Sequence, residues 1–362
     1  MPELHDLLIV GGGPAGAAAA LRARQLGLDV VILDKHTFPR ARACTGWIGP
    51  HGVALSGECG LTARKAGATE FSAITLHSWD FKRRAQIKDP SFRGWLVDRS
   101  AFDHALLKCA QKAGAVARLA TDCTGLRLGE TSASVLTGSA GEFAARVVFV
   151  ADGSGSEIMR ISGVTGVAAT SAHAALVDCE SAVSESGIEV VLGARRVTHL
   201  ATLVRIGKTA RVSLLTRDAS APAAEQLGEL IAGGRGALRL GDALGKIIGA
   251  PSVAGAALDI ESHVGKRTLL IGDAGGFVSA FSHEGVYPAM KSGWIAAQVA
   301  ARALQAPLLQ DELAGFGAAW RVELAEYLRM PNTDLSLLAP LVFSNAQMSK
   351  RVAAAFLLGQ GF

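Results

Sequence analysis

The sequence predicts an α/β (α+β) protein with three parts. These are a Rossmann-like dinucleotide-binding domain, an interleaved antiparallel β-sheet domain and a helical C-terminus. Three observations carry the prediction. The apolar run 7–10 leads directly into a glycine-rich turn and an Ala-rich stretch. Two later apolar runs, 147–151 and 268–271, end in Asp152-Gly153 and Gly272-Asp273. Between those two, from about 170 to 217, Val-, Leu- and Thr-rich pieces recur at the spacing of a meander.

Leu7-Leu8-Ile9-Val10 is continuously apolar, as a strand buried on both faces requires. Gly11 to Gly16 interrupt it, and the helix predicted over 15–26 stops at Gly27. Residues 29–34 supply a second strand, completing a right-handed βαβ unit. Further on, 93–97 reads as a strand, and a helix starts at Ser100 or Asp103 and runs to Ala113. From 116 to 149, short pieces broken by Gly125, Gly129, Gly138 and Gly141 predict a small antiparallel meander. Strands are then expected at 174–177, 188–192, 198–206 and 210–215, followed by a helix near 223–232. The first architecture returns with the strand 268–271 and a long helix over 286–304, and helices at 311–328 and 345–358 end the chain. The expected nucleotide-binding domain is therefore discontinuous (1–75, 93–170 and 255–305). The sheet domain takes 76–92 and 171–254, and a helical segment takes 306–362.

Composition narrows the function classes. Of 362 residues 49% are apolar and 19% charged, so the chain can bury a core and is not disordered. A net charge of +4 calls for no polyanion, and no nucleic-acid partner is expected. Lys82-Arg83-Arg84 has no interleaved aromatic residue and reads as a solvated loop. The five cysteines are widely spaced without a CxxC pair, which predicts reduced thiols and a cytoplasmic protein. The N-terminus has no basic leader, and the apolar stretch 7–21 is too short and glycine-rich to span a bilayer. Nine scattered histidines predict no metal cluster.

Gly11-Gly12-Gly13-Pro14-Ala15-Gly16 fits GxGxxG. In a chain with 42 glycines the pattern alone weighs little, but here it follows a strand, opens a helix, and precedes Asp34-Lys35 by about 20 residues. Each glycine has its own task. Gly11 permits the tight turn, Gly13 admits a pyrophosphate to the helix N-terminus, and Gly16 allows close helix–strand packing. Asp34 can accept hydrogen bonds from an adenosine ribose. Gly11, Gly13, Pro14, Ala15, Gly16, Asp34 and Lys35 are thus candidate cofactor-binding residues.

Gly272-Asp273-Ala274-Gly275-Gly276-Phe277, followed by Glu284-Gly285-Val286, resembles the GDAAGF…GxG segment of FAD-dependent oxidoreductases of the p-hydroxybenzoate hydroxylase fold. The resemblance implies FAD, with Asp273 at the ribityl or pyrophosphate region and the Gly285-Val286 turn at the flavin pyrimidine end. Asp152-Gly153-Ser154-Gly155-Ser156 with Arg160 is similar to the family's DGxxSxxR segment. Arg99 with Asp103 is similar to its R…fD…L segment, whose Arg contacts FAD. Phe38-Pro39-Arg40 and Ala43-Cys44-Thr45-Gly46 look like the FPR…CG segment of geranylgeranyl reductases and their halogenase and hydroxylase relatives. That segment would run along the flavin and bring Cys44 near its ring. Arg40, Cys44, Thr45, Arg99, Asp152, Gly153, Gly272, Asp273, Gly285 and Val286 join the cofactor-binding candidates.

Departures from the family pattern matter as much. Ala280 stands where relatives carry a Pro, and His283 where they carry a small residue. His283 and Glu284 beside a flavin are candidates to move a proton, and with Cys44 they form the candidate catalytic set. The halogenase WxWxIP signature is absent, and so is the reductases' YxWxFP segment. Only one dinucleotide fingerprint is present, so NAD(P)H is expected to dock transiently, or a separate flavin reductase to supply electrons. The substrate section is rich in Ala, Val and Leu, which points to a largely apolar organic substrate. Hydride transfer between flavin and a substrate carbon is the expected reaction. The alternatives are an FAD monooxygenase using O₂ and NAD(P)H, a halogenase, and a flavin-binding protein without turnover. The C-terminal helices are expected to close the cavity, with a dimer interface or membrane-surface contact as other uses.

Overall fold

A parallel sheet whose two faces are both covered organises the nucleotide-binding part. The computed structural model describes residues 2–138, 140–155, 157–162, 172–193, 200–217, 220–330 and 341–361. Ser156, Thr198 and the stretches 163–171, 194–199 and 331–340 of the expected domains lie outside the described residues. The first sheet orders its strands Val264–Gly265, Thr268–Leu270, Glu142–Val150, Leu4–Val10, Val30–Leu33 and Val116–Arg118. All but Val264–Gly265 run parallel. Leu7 and Ile9 pack on one face against the helices Pro14–Gln25 and Val286–Ala303, and Leu8 and Val10 pack on the other. Burial on both sides explains why this strand reads as an unbroken apolar run.

Three expectations shift. The helix Arg99–Lys112 begins earlier than Ser100 or Asp103, because Asp98 caps it by accepting the amide N–H groups of Ser100 and Ala101. The strand Gly94–Leu96 leaves the main sheet for a three-stranded one with Trp47–Ile48 and Thr69–Phe71. Val116–Arg118 leaves the meander too. It follows a crossover helix, so it pairs parallel with Val30–Leu33, and only Cys123–Leu128, Ala133–Thr137 and Glu142–Val150 are antiparallel neighbours.

The second sheet orders Leu240–Ala243, Ala172–Ser181, Thr209–Thr216, Leu200–Ile206, Gly187–Leu192, Ala73–Ser78 and Arg84–Lys88, with Ile248–Ser252 also paired to Ala172–Ser181. Leu240–Ala243 and Ile248–Ser252 are short, largely exposed and interrupted by Gly or Pro, so their sequences carry no strand alternation. One face is covered by the helix Ala223–Gly234 through Leu227, Leu230 and Ile231. The other face turns inward and meets Trp47, Phe281 and the helix Ala346–Leu358. Lys82, Arg83 and Arg84 are exposed at an edge turn. The helix Phe316–Leu328 packs Phe316 and Trp320 on His263 and Phe277. Among the described residues no helix is long and apolar enough to cross a membrane.

Candidate active site

The first glycine turn lies at the C-terminal end of Leu4–Val10. Gly11 has φ +105°, and a Cβ there would lie 2.4 Å from Ala151 O, so no other residue fits. A Cβ on Gly16 would lie 1.9 Å from Gly11 O. Gly13 is different. Its nearest neighbour is the guanidinium of Arg40, 3.2 Å from where a Cβ would be. Asp34, almost fully buried, accepts the amide N–H of Gly12 at 2.7 Å and that of His36 at 2.8 Å. A carboxylate has about four acceptor sites, so two remain for ribose hydroxyls.

The residues fit a dinucleotide on a specific observation. The helix Pro14–Gln25 starts at Gly13 with no side-chain cap, so its first N–H groups lack a local acceptor. Beside it Arg40 Nε is buried with no hydrogen-bond partner, and the nearest carboxylate of Asp103 is 3.9 Å from Nη2. An open positive helix terminus and the unpartnered Nε of Arg40 together fit a diphosphate.

The other turns converge on this one. Gly11 packs against Ala151 and Asp152, and Gly272, at φ +62°, packs against Ala15. Arg42 pairs with Asp273 at 3.4 Å and comes near Gly153. Gly285 opens the helix Val286–Ala303, again without a side-chain cap, beside Asp273. Lys35 is exposed, and Thr45 is half-buried next to Cys44. Arg99 is held by Asp103 in a two-point ion pair (2.9 and 3.2 Å) and donates to Cys44 Sγ at 3.3 Å. Its reach to a cofactor is therefore set by Asp103.

Cys44 lies on the segment leading to Trp47–Ile48, where Arg211 donates to its carbonyl at 3.0 Å. His283 and Glu284 lie together on the loop before Val286–Ala303, His283 with φ +58°. Burial and the nearby Arg217 guanidinium push His283 down to about 3, so its ring is neutral at physiological pH. Burial pushes Glu284 up to about 7 against the opposing pull of its hydrogen bonds. Its Oε1 accepts the amide N–H of Gly49 at 3.0 Å, and its Oε2 accepts the Tyr327 hydroxyl. Among the described residues no group of three His, Cys, Asp or Glu side chains is placed to hold a metal.

The inner face of the second sheet stands opposite these loops. Ile188, Val190, Leu192, Leu200 and Val204 pack with Trp47 and Phe281, and Leu215 packs with Val278. At one end Arg211 is paired with Asp178. At the other, half-buried Arg217 donates to Ala254 O at 3.2 Å and has no carboxylate within 4 Å among the described residues. Arg211, Arg217, Gly49 and Tyr327 escape sequence reasoning, since each belongs to the site through a contact far along the chain. One signal was there: both tyrosines of the chain, Tyr287 and Tyr327, lie against Glu284.

Three separated turns meet at one fingerprint, with an apolar sheet opposite, an arrangement that fits an extended dinucleotide. The chain is an FAD-dependent oxidoreductase. Residues 5–194 match the model of the pyridine nucleotide-disulphide oxidoreductase family, and the chain belongs to that family. Its five cysteines are all free thiols. The digeranylgeranylglycerophospholipid reductase of Methanocaldococcus jannaschii is 28% identical over 347 residues, covering 90% of this chain and 84% of that protein. The menaquinone reductase of Mycobacterium tuberculosis is 30% identical over 162 residues, 44% of this chain and 40% of that protein. A geranylgeranyl bacteriochlorophyll reductase-like protein from Thermoplasma acidophilum superposes with a TM-score of 0.77 at 19% identity, covering 99% of this chain and 97% of that one. The flavin-dependent brominase Bmp2 also gives 0.77, at 18% identity and 99% and 94% coverage. These two structures share the fold.

Proposed function

We propose that the protein is an FAD-dependent reductase that saturates carbon–carbon double bonds of a largely apolar, prenyl-type substrate. The observation that carries this reading is the apolar inner face of the second sheet, set against Trp47, Phe281 and Val278 of the cofactor loops. The full-length similarity to the digeranylgeranylglycerophospholipid reductase supports it. FAD, when bound, supplies the hydride chemistry.

The chain's own residues do the rest. Gly11, Gly13 and Gly16 with Arg40 hold the diphosphate, and Asp34 holds the adenosine ribose. Asp273, fixed by Arg42, and Gly285 present hydrogen-bonding groups toward the flavin end. The apolar sheet face excludes water from the reacting carbon. Cys44 and neutral His283 are the residues we assign to contact the substrate, and Glu284 ties the 279–285 loop to Gly49 behind Cys44. Arg217 receives the substrate's polar or anionic end, because a half-buried guanidinium with no carboxylate within 4 Å among the described residues gains from an anion. NAD(P)H docking transiently, or a separate flavin reductase, provides the electrons.

An anaerobic single turnover tests this. The purified flavoprotein is reduced, mixed with a geranylgeranyl lipid, and followed by flavin absorbance and product mass. The expected result is flavin reoxidation without O₂ and a product gaining two hydrogens per turnover. A product formed only with O₂ and carrying an added oxygen would overturn the reading in favour of a monooxygenase.

A further inference from the structure

Glu284 is almost fully buried and forms no ion pair among the described residues. Its two oxygens join parts of the chain that are remote in sequence. Oε1 takes the N–H of Gly49, and Oε2 takes the hydroxyl of Tyr327 on the helix Phe316–Leu328. Ser282 donates to the same hydroxyl, and its Oγ accepts the amide N–H of Glu284 at 3.3 Å.

The Cys44 segment meets the C-terminal region twice: Trp47 stacks on Phe356 with ring centroids 5.0 Å apart, and Gly49 follows as the backbone contact. It precedes the helix Pro50–Glu58, and a Cβ there would lie 3.0 Å from Leu357 O and 3.1 Å from Glu284 Oε2. The end of the helix Ala346–Leu358 closes over Tyr327. Gly359, at φ +63°, would place a Cβ 2.4 Å from the tyrosine ring. Leu357 also belongs to the core against the apolar sheet face, so this helix end joins both regions.

We propose that Tyr327 and Glu284 are positioning residues. Together they hold Gly49, and with it the segment carrying Cys44, against the 279–285 loop. Docking of the C-terminal helices and the geometry beside the flavin are then one event. The inference rests on the FAD-dependent reading for its functional meaning, but its contacts exist independently of turnover.

The lock has two states. Ionised Glu284 accepts from Gly49, from Tyr327 and from the backbone N–H of Tyr287. When protonated, it must place its proton on Oε2, since one on Oε1 would oppose the Gly49 N–H, and the Tyr327 hydroxyl must then turn toward Ser282. With Glu284 held to about 7, the lock is complete above neutrality and loosened below it. The groups facing it are few. Tyr327 and Tyr287 are both held above the ordinary tyrosine range, Tyr287 at about 12. The His51 ring lies 5.4 Å from Tyr287 and 5.9 Å from Tyr327. Beyond Tyr287 stand Glu58 and Glu323, the latter paired with Lys291, and on the loop side stand His283 and Arg217.

The test uses the full chain as purified, in wild type, Y327F and E284Q. Hydrogen–deuterium exchange is read for peptides covering 44–52 and 346–361 at pH 6 and 8, and the bound-flavin spectrum is titrated with pH. Wild type should show a spectral midpoint near 7 and slower intrinsic-rate-corrected exchange of 44–52 at pH 8 than at pH 6. Y327F removes a bond to the charged form, so its midpoint should rise by about one pH unit, with roughly tenfold faster exchange of 44–52 at pH 8. E284Q presents a donor where protonated Glu284 does, so it should lose the midpoint and show at pH 8 the faster exchange of 44–52 that wild type shows at pH 6. Wild-type exchange and an unmoved midpoint in Y327F would overturn the proposal. A wild type without flavin would defeat the functional reading instead, and the exchange comparison would still decide this one.

Discussion

Arg99 and Asp103 form a two-point ion pair one helical turn apart, and a third guanidinium nitrogen of Arg99 reaches Cys44 Sγ. Asp103 is wholly buried. Replacing it should leave a buried guanidinium uncompensated. D103A is expected to cost about 3–5 kcal/mol in urea unfolding, and R99A/D103A to recover part of that loss. Peptide-level alkylation of Cys44 should be faster in D103A, because Arg99 no longer holds the thiol. Equal alkylation rates would show that the Arg99 contact does not control Cys44.

The three glycines of the first turn should respond differently. G16A places a Cβ 1.9 Å from Gly11 O, so the folded protein should be lost or severely destabilised. G13A has an ordinary φ of −70° and meets only the mobile end of Arg40, so it should fold normally. Its deficit should be in flavin content, measured as flavin absorbance per protein.

R40A removes the cation beside an uncapped helix terminus. Charged hydrogen bonds contribute about 1.5–3 kcal/mol, so FAD affinity should fall roughly 10- to 100-fold by titration of the apoprotein. Stability of the apoprotein should change less than FAD affinity, since Arg40 Nε has no partner and its long 3.9 Å contact is to Asp103, which Arg99 already pairs. A drop in apoprotein stability equal to the affinity loss would mean that Arg40 is a packing residue.

His263 donates to Gly275 O at 2.8 Å, behind the third glycine turn, and burial pushes it down to about 4. A base depressed in the fold stabilises it above the unfolded value near 6.5, and this stability is lost as pH falls toward 4. The loss over that window amounts to about 3 kcal/mol. Urea midpoints between pH 7 and 4 should therefore fall more steeply in wild type than in H263F. H263F should start lower at pH 7, having lost the bond to Gly275. Parallel pH profiles would show that His263 does not govern acid stability here.

R217Q tests the end of the apolar sheet face at which Arg217 stands. KM for a substrate with an anionic head group should rise about tenfold, and that for a neutral analogue should not change. A loss in kcat with KM unaltered would place Arg217 among the groups acting on the reacting atoms.

Much of the cofactor cradle was readable before folding. Gly11 and Gly272 announce themselves because each sits where a strand must turn sharply, and Gly16 because the first helical turn passes too close to Gly11 O for a Cβ. Asp34 follows from spacing within one βαβ unit. The partners of Cys44 and Glu284 were not readable. Arg211 lies 167 residues from Cys44, and Gly49 lies 235 residues from Glu284. No local periodicity records such distances. The strand Gly94–Leu96 was legible as a strand but not as a member of a separate sheet, because pairing is chosen by neighbours rather than by propensity.

The sequence by itself determined the βαβ unit, the three glycine turns and the apolar character of the second sheet. These follow from local rules of backbone freedom and from alternation along single strands. Only the tertiary structure decided that Arg40 Nε stands unsatisfied at the helix terminus, that Arg217 has no carboxylate within 4 Å among the described residues, and that Tyr327 engages Glu284. Whether a charge or a hydroxyl is paired depends on which remote segments pack beside it, and burial then sets what an unpaired one can do.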